Sequence, residues 1–162
     1  IIILNFITEK MLRSEAPHAL DEHLWHYAKS LEKQLLGIET YTEQLQTLTK
    51  LSIDEQIQAL LRSGRQISNF RRQLSQLTTV YTSGDIQRIF QYSKRQAGVW
   101  RKPLLYQRNA TMAERIHRLA EQQTLFAAIG AGHLGGGKGV LRLLKHSQLN
   151  VKAVPTVAIS LT

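Results

Sequence analysis

Three side chains that lie far apart in the chain have the types and settings of site residues: Glu39, Arg108 and His133. His133 lies within residues 130–139, where six of ten residues are glycine, so both ring nitrogens are approachable by a ligand or a proton. Glu39 precedes a predicted helix N-terminus, where the helix dipole keeps a carboxylate ionised and ready to face a cation. Arg108 precedes another predicted helix, where a cation opposes the dipole unless it meets a carboxylate or an anionic substrate group.

Each of the three residues also has an ordinary structural interpretation. His133 can cap a tight turn or face water, and Glu39 can cap the helix that follows it. Arg108 can be a solvated surface residue, as most lone arginines are. Residue types alone leave both interpretations open.

The glycine-rich segment matches two phosphate-binding patterns by spacing. Gly130, Gly132 and Gly135 form G-x-G-x-x-G, which in dinucleotide sites is followed by an acid about 20 residues further on. A G-x-x-x-x-G-K pattern ends at Lys138, but the Ser or Thr that binds magnesium does not follow it. No Asp or Glu occurs after Glu121, so nucleotide binding is a weaker hypothesis and no nucleotide is expected.

Several stretches together resemble one known family. Residues 126–145, which read FAAIGAGHLGGGKGVLRLLK, and 149–154 look like the carboxyl-terminal signature of the TraB/GumN family, to which the TIKI metalloproteases belong. The Gly-Ile-Glu-Thr run at 37–40 with Glu-Gln at 43–44, and Arg-Asn at 108–109, agree with it in the same order. Three ordered matches are more specific than a glycine count.

The resemblance implies a metal-dependent hydrolase, acting on peptide bonds, with Glu39, Arg108 and His133 as catalytic residues. It implies that His133 and Glu39 ligate a divalent metal, which would be Mn, Co or Zn, and that Arg108 stabilises charge on the carbonyl oxygen. The glycines expected beside the bound cofactor are Gly130, Gly132 and Gly135. The family's upstream Gly-x-x-His is absent from this chain, which leaves catalysis by these 162 residues alone an open question.

The elements that position these residues are predicted to form a helix-rich α/β fold. Short apolar runs near 1–7, 35–38, 124–129 and 151–154 predict a small mixed β-sheet flanked by helices, the EreA/ChaN-like core that the resemblance implies. Capping boxes beginning at Thr40, Ser52 and Thr111 predict three helix starts. The whole of 1–162 is predicted to be a single domain resembling the second half of a TraB/GumN domain, and so an incomplete fragment.

Composition excludes some functions and leaves others open. A net charge of +9 favours acidic partners, but the basic residues are scattered and aromatics make up 7%, so no nucleic-acid partner is expected. Without cysteine there are no disulfides or thiolate metal sites. We expect no transmembrane segment. Homo-oligomers remain possible, and the compartment is open between cell envelope and cytoplasm.

A second function hypothesis stands beside the hydrolase. The same cleft, or the Arg-rich outer side of the helices, could hold a peptide or an acidic partner without cleaving it; the densest basic group is Arg62, Arg65, Arg71 and Arg72. A separate His23-x-x-His26 pair with neighbouring acids could hold a metal, although a solvated helix face is the more ordinary interpretation.

Overall fold

The computed structural model describes residues 19–154 and, within them, every side chain except those at positions 62, 63 and 67. The regular elements in this part are helices: α1 (Leu20–Ser30), α2 (Tyr41–Thr49), α3 (Ile53–Arg65), α4 (Ile67–Thr82), α5 (Ile86–Ala97), α6 (Arg108–Ala120) and α7 (Val140–His146). Short 3₁₀ turns lie at Gly98–Trp100 and Ala131–His133, and a π-helical segment covers Lys102–Gln107.

The expected β-sheet is not found, so the α/β prediction is wrong for residues 19–154. The predicted strands at 35–38, 124–129 and 151–154 have no regular secondary structure, and 1–7 lies outside the described residues. An apolar run makes a strand only when a neighbouring segment completes its hydrogen-bond ladder, and the described part contains no such ladder. Burial along 124–129 is one-sided: Leu125, Ala127 and Ile129 are half-buried, and Phe126 is 82% exposed.

The core that supports the candidate site lies between α6 and α7. Its buried members are Met112, Ala113 and Ile116 from α6 and Val140 and Leu144 from α7. Their spacing of three and four residues places each set on one face of its helix. Partly buried apolar side chains from the segments on either side pack against this cluster, namely Ile38, Leu125, Ala127, Ile129, Leu143, Leu149 and Val151.

Two of the three predicted capping boxes are confirmed. The Glu43 amide donates to Thr40 Oγ1 at 3.2 Å while the Glu43 carboxylate accepts from the Thr40 amide at 2.8 Å. Ser52 and Glu55 make the same reciprocal pair, at 3.2 Å in both directions. Each box begins a helix because it satisfies donors that lack intrahelical partners.

The third capping box is wrong, because helical structure begins before Thr111. The π-helical segment runs directly into α6, and Gln107 and Arg108 both have helical backbone angles. Thr111 therefore lies inside the helix, with its hydroxyl 3.3 Å from the Gln107 carbonyl. Arg108 is preceded by helical turns, so the argument that it opposes an N-terminal dipole does not apply.

The outer helices keep much of their apolar surface exposed. In α1 no residue is buried; Leu20, Trp25 and Tyr27 in the helix and Leu31 directly after it are all exposed. Across residues 19–154 no helix combines the length and the apolar character that crossing a bilayer requires. Arg65 at the end of α3 and Arg71 and Arg72 early in α4 are exposed.

Candidate functional site

Glu39 and Arg108 form a two-point ion pair. Arg108 Nε donates to Glu39 Oε1 at 2.8 Å and Arg108 Nη2 donates to Glu39 Oε2 at 2.6 Å, which is the fork geometry that a guanidinium offers a carboxylate. The Glu39 side chain is 9% exposed and the Arg108 side chain is 27% exposed. The pair therefore fixes the acid in a nearly water-free position and leaves part of the guanidinium reachable from solvent.

Asn109, the next residue along α6, connects the helix to the glycine-rich loop. Its side chain is completely buried, its Nδ2 donates to the Lys138 carbonyl at 2.7 Å, and its Oδ1 lies 2.6 Å from His133 Nδ1. Because Nδ2 is committed to a carbonyl, Oδ1 is the acceptor, and His133 Nδ1 must carry the proton in this bond. The lone pair of the neutral imidazole is thereby placed on Nε2.

The surroundings of His133 favour its neutral form. Burial is the main cause of its lowered pKa, and the positive charge of Arg108 lowers that pKa further, while Glu39 acts in the opposite direction. A neutral imidazole with a free Nε2 can accept a proton or ligate a metal. The same interactions show that Glu39, Arg108 and His133, although distant in sequence, lie close enough together to influence one another.

The glycines of the loop allow it to pack against α5. A Cβ atom on Gly132 would lie 2.4 Å from Ser93 Oγ, and one on Gly135 would lie 2.4 Å from the Ile86 carbonyl oxygen and 3.1 Å from Phe90 Cβ. A Cβ on Gly130 would meet only the His133 ring, at 3.8 Å. Gly132 and Gly135 thus have a packing requirement of their own, and a ligand-binding role for the glycines stays a prediction.

Two further glycines fix the shape of the loop. Gly136 has a φ of +76°, and its amide donates to Gln87 Oε1 on α5 at 2.9 Å. A Cβ on Gly139 would lie 1.9 Å from the Gly135 carbonyl oxygen, so the start of α7 and the loop approach at backbone contact. This packing holds His133 on a rigid turn beside α6.

A polar cleft of about 220 Å³ opens beside the Glu39–Arg108 pair. Its walls come from the Glu39 turn, α2, the π-helical segment and the start of α6; the lining residues are Glu39, Glu43, Gln46, Thr47, Lys50, Pro103, Gln107, Arg108 and Thr111. Neither His133 nor any loop glycine lines this cleft. The His133 ring instead contacts Asn109, the residue after Arg108.

A second ion pair stands next to the first, and sequence reasoning missed it. Arg115 donates to the Ile38 carbonyl at 2.7 Å and to Glu43 Oε2 at 2.8 Å, and its other terminal nitrogen pairs with Glu43 Oε1. Sequence reasoning also left Asn109 without a role of its own. The spacing of Arg108 and Arg115, about two helical turns apart, was the available signal that both face one side of α6.

The described residues do not by themselves fit a metal ion. No group of three His, Cys, Asp or Glu side chains within 19–154 is placed to bind one. His133 Nε2 has the chemistry of a ligand atom, but both Glu39 oxygens already accept from Arg108. In α1, His26 lies 3.7 Å from Glu22, and both, like His23, are on an exposed face.

Comparison with known proteins identifies the class. The model of the TraB/PrgY/gumN family matches residues 2–153, so the chain belongs to this family. The resemblance seen in the sequence is thereby confirmed.

Particular relatives are metalloproteases by name. The chain is 26% identical to Metalloprotease TIKI1 of Danio rerio over 95% of its length, and 28% identical to Metalloprotease TIKI2 of the same fish over 95%. A Metalloprotease TIKI homolog of Nematostella vectensis is 24% identical over 94%. The chain spans 37%, 36% and 39% of these three relatives, respectively. No solved structure matches it.

Proposed function

We propose that this chain carries part of a hydrolytic site for peptide bonds, built on Glu39, Arg108 and His133. The observation that carries the proposal is the adjacency of two contacts on α6: Arg108 holds Glu39, and the next residue, Asn109, orients His133. The names of the relatives support a protease-like activity, and the pairing supplies the chemistry that such an activity needs.

The roles follow from which atoms are free. His133 Nε2 is unprotonated in the neutral ring, so it can accept a proton from an attacking water. Two N–H groups of Arg108 donate to Glu39. Its remaining N–H groups can donate to a carbonyl oxygen of the substrate as negative charge develops there. Glu39 keeps the guanidinium in one orientation, so little reorganisation is required when the substrate arrives.

The proposal includes a divalent metal cofactor, for which residues 19–154 do not supply a complete set of ligands. We propose Mn, Co or Zn, in line with the naming of the relatives as metalloproteases, with His133 Nε2 as a ligand atom. An ion bound there would supply Lewis-acid chemistry, and His133 would then be its ligand instead of the proton acceptor, because the single Nε2 lone pair cannot do both. The steps assigned to Glu39, Arg108 and Asn109 do not depend on it.

The experiment measures cleavage and metal binding separately. Cleavage of a mixed peptide library is followed by mass spectrometry with no metal and with Mn, Co or Zn, and binding of each metal is measured by calorimetry. His133→Ala and Arg108→Gln should each reduce cleavage by at least about 100-fold, since each removes a group acting on the transition state. His23→Ala, on the exposed face of α1, is the matched control and should behave as the unmodified chain.

Two outcomes would contradict the proposal. Cleavage that survives His133→Ala would remove the imidazole from the chemistry. Metal binding that is abolished by His23→Ala and not by His133→Ala would place the metal on α1.

One observation favours a second candidate, a peptide-binding module. The cleft is lined by Arg108, by hydroxyl and amide side chains and by Lys50, and His133 is not among the lining residues. A peptide held there need not meet the imidazole. In this case Arg108→Gln would weaken peptide binding measured by fluorescence anisotropy, while no peptide would be cleaved by the unmodified chain.

A further inference from the structure

Glu39 is an acid on a segment with little structure of its own. Residues 33–37 have no regular secondary structure, and Ile38 and Glu39 form a bend before α2. Ile38 packs against the α6–α7 core, but the ion pair with Arg108 alone does not explain how the backbone around Glu39 is kept in place. A two-point ion pair needs its carboxylate held within a few tenths of an ångström.

Both peptide neighbours of Glu39 are tied to the second ion pair. On one side, Arg115 Nη1 donates to the Ile38 carbonyl at 2.7 Å. On the other side, the Thr40 amide and hydroxyl donate to Glu43 Oε2 at 2.8 and 3.0 Å, and that same oxygen accepts from Arg115 Nη1 at 2.8 Å. One carboxylate and one guanidinium thus hold the backbone immediately before and immediately after Glu39.

The charges of this second pair are strongly fixed. The hydrogen bond from Arg115, followed by that from the Thr40 amide, lowers the pKa of Glu43 to about 2, and the same contact raises the pKa of Arg115. The Glu43–Arg115 pair therefore stays ionised throughout the neutral and mildly acidic range. Arg115 and Arg108 lie on one side of the same rigid helix, so the two pairs have a common support.

We propose that Arg115 and Glu43 are positioning residues that hold Glu39 against Arg108. This inference deepens the proposed function. It rests on that proposal only for the role of Glu39 in hydrolysis. The geometry itself is independent of whether hydrolysis occurs: three hydrogen bonds hold the residues on either side of Glu39, and a fourth ties Glu43 to Arg115 on α6.

The test reads the Glu39–Arg108 contact directly. In ¹H–¹⁵N spectra, the Arg108 Nε–H group bonded to Glu39 gives a protected resonance, which Arg108→Lys identifies by removing it. Arg115→Met should raise the solvent exchange rate of this proton by at least about tenfold, because a loosened Glu39 opens the bond more often. Arg118→Met, the same change at an exposed site on α6, is the matched control and should leave the exchange rate unchanged.

Conservative variants separate positioning from simple stabilisation. Arg115→Lys keeps the cation but cannot hold the Ile38 carbonyl and both Glu43 oxygens together, so exchange should still rise. If Arg115→Met fails to fold, the exchange rate in Arg115→Lys tests the positioning role instead. Glu43→Gln keeps the capping function and loses the ion pair, and should give an intermediate increase.

Peptide cleavage provides the second readout. It distinguishes failure of the positioning role from failure of the proposed function. If the unmodified chain cleaves peptides, Arg115→Lys should lower kcat by about 10–100-fold with little change in KM, as expected when a supporting residue is removed. Unchanged Arg108 Nε–H exchange in both Arg115 variants would overturn the positioning role, whatever the activity. Cleavage that survives His133→Ala, together with faster exchange in the Arg115 variants, would refute the proposed function and leave the positioning role standing.

Discussion

Replacing Asn109 with Leu is expected to cost stability and to release His133 from its fixed tautomer. Leu has a similar size, so the change removes hydrogen bonding without opening a large cavity. Two partners of the fully buried amide, the Lys138 carbonyl and His133 Nδ1–H, lose their hydrogen bonds. Each such group costs about 1–3 kcal/mol, so the free energy of unfolding should fall by about 2–6 kcal/mol.

Urea unfolding followed by circular dichroism measures this loss. Asn150→Leu makes the same substitution at an exposed position after α7 and should change the free energy of unfolding by less than about 0.5 kcal/mol. Asn109→Asp is a second comparison. It keeps an acceptor for His133 but places a carboxylate oxygen against the Lys138 carbonyl, so it should destabilise the fold while preserving the tautomer.

Long-range ¹⁵N correlations of the His133 ring report the tautomer. The unmodified chain should show a protonated Nδ1 and an unprotonated Nε2, and Asn109→Leu should show a mixture of both neutral forms. A proton on Nε2 in the unmodified chain would refute the role assigned to the Asn109 amide. Equal stability of Asn109→Leu and Asn150→Leu would refute it as well, since a buried amide with two hydrogen bonds cannot be removed without cost.

Three other predictions concern the loop, the acid stability and the coupling of charges. Gly139→Ala should destabilise the fold by about 2–4 kcal/mol in thermal unfolding because its Cβ meets backbone, whereas Gly137→Ala, with nothing within 4 Å, should be tolerated. Because the pKa of His133 is lowered in the folded state, the unfolded chain binds more protons in mild acid. The contribution of His133 to the free energy of unfolding should therefore be complete above pH about 6.5 and decrease below it. In His133→Gln the free energy of unfolding should decrease less over the same pH range. In NMR titrations, Arg108→Gln should raise the pKa of His133 and Glu39→Gln should lower it. If both substitutions shifted this pKa in the same direction, the two charges would not act on the imidazole in opposite directions, and the reasoning would be refuted.

The helices were predictable from the sequence because their signals are local. The capping boxes at Thr40 and Ser52 begin helices where the spacing of Glu43 and Glu55 indicated. Asp85 begins α5 by accepting from two amides of its first turn at 3.0 Å. A capping interaction involves residues only a few positions apart, so the local sequence is enough to predict it.

The strands were not predictable for a related reason. The apolar run at 124–129 was predicted to be a strand and has no regular secondary structure, although its alternate side chains pack against the core between α6 and α7. Whether such a run becomes a strand depends on a partner elsewhere, and no local pattern reports that partner. The same limit explains the third capping box, where the π-helical segment before Arg108 extends the helix past the signal at Thr111.

The candidate site shows which part of a long-range arrangement can be inferred from residue chemistry. Glu39 and Arg108 each looked incomplete alone, as an acid and a guanidinium without partners, and they complete each other across 69 positions of sequence. Asn109 and Arg115 gave no signal by residue type, because an amide and a surface-type cation on a helix are ordinary; the sequence carried only the Arg-Asn match and the two-turn spacing from Arg108 to Arg115. Their importance comes from the turn of the helix, which places Asn109 towards the loop and Arg115 beside Arg108. Groups that do chemistry can be recognised by type, whereas the groups that hold them in place are recognised only when distances are known.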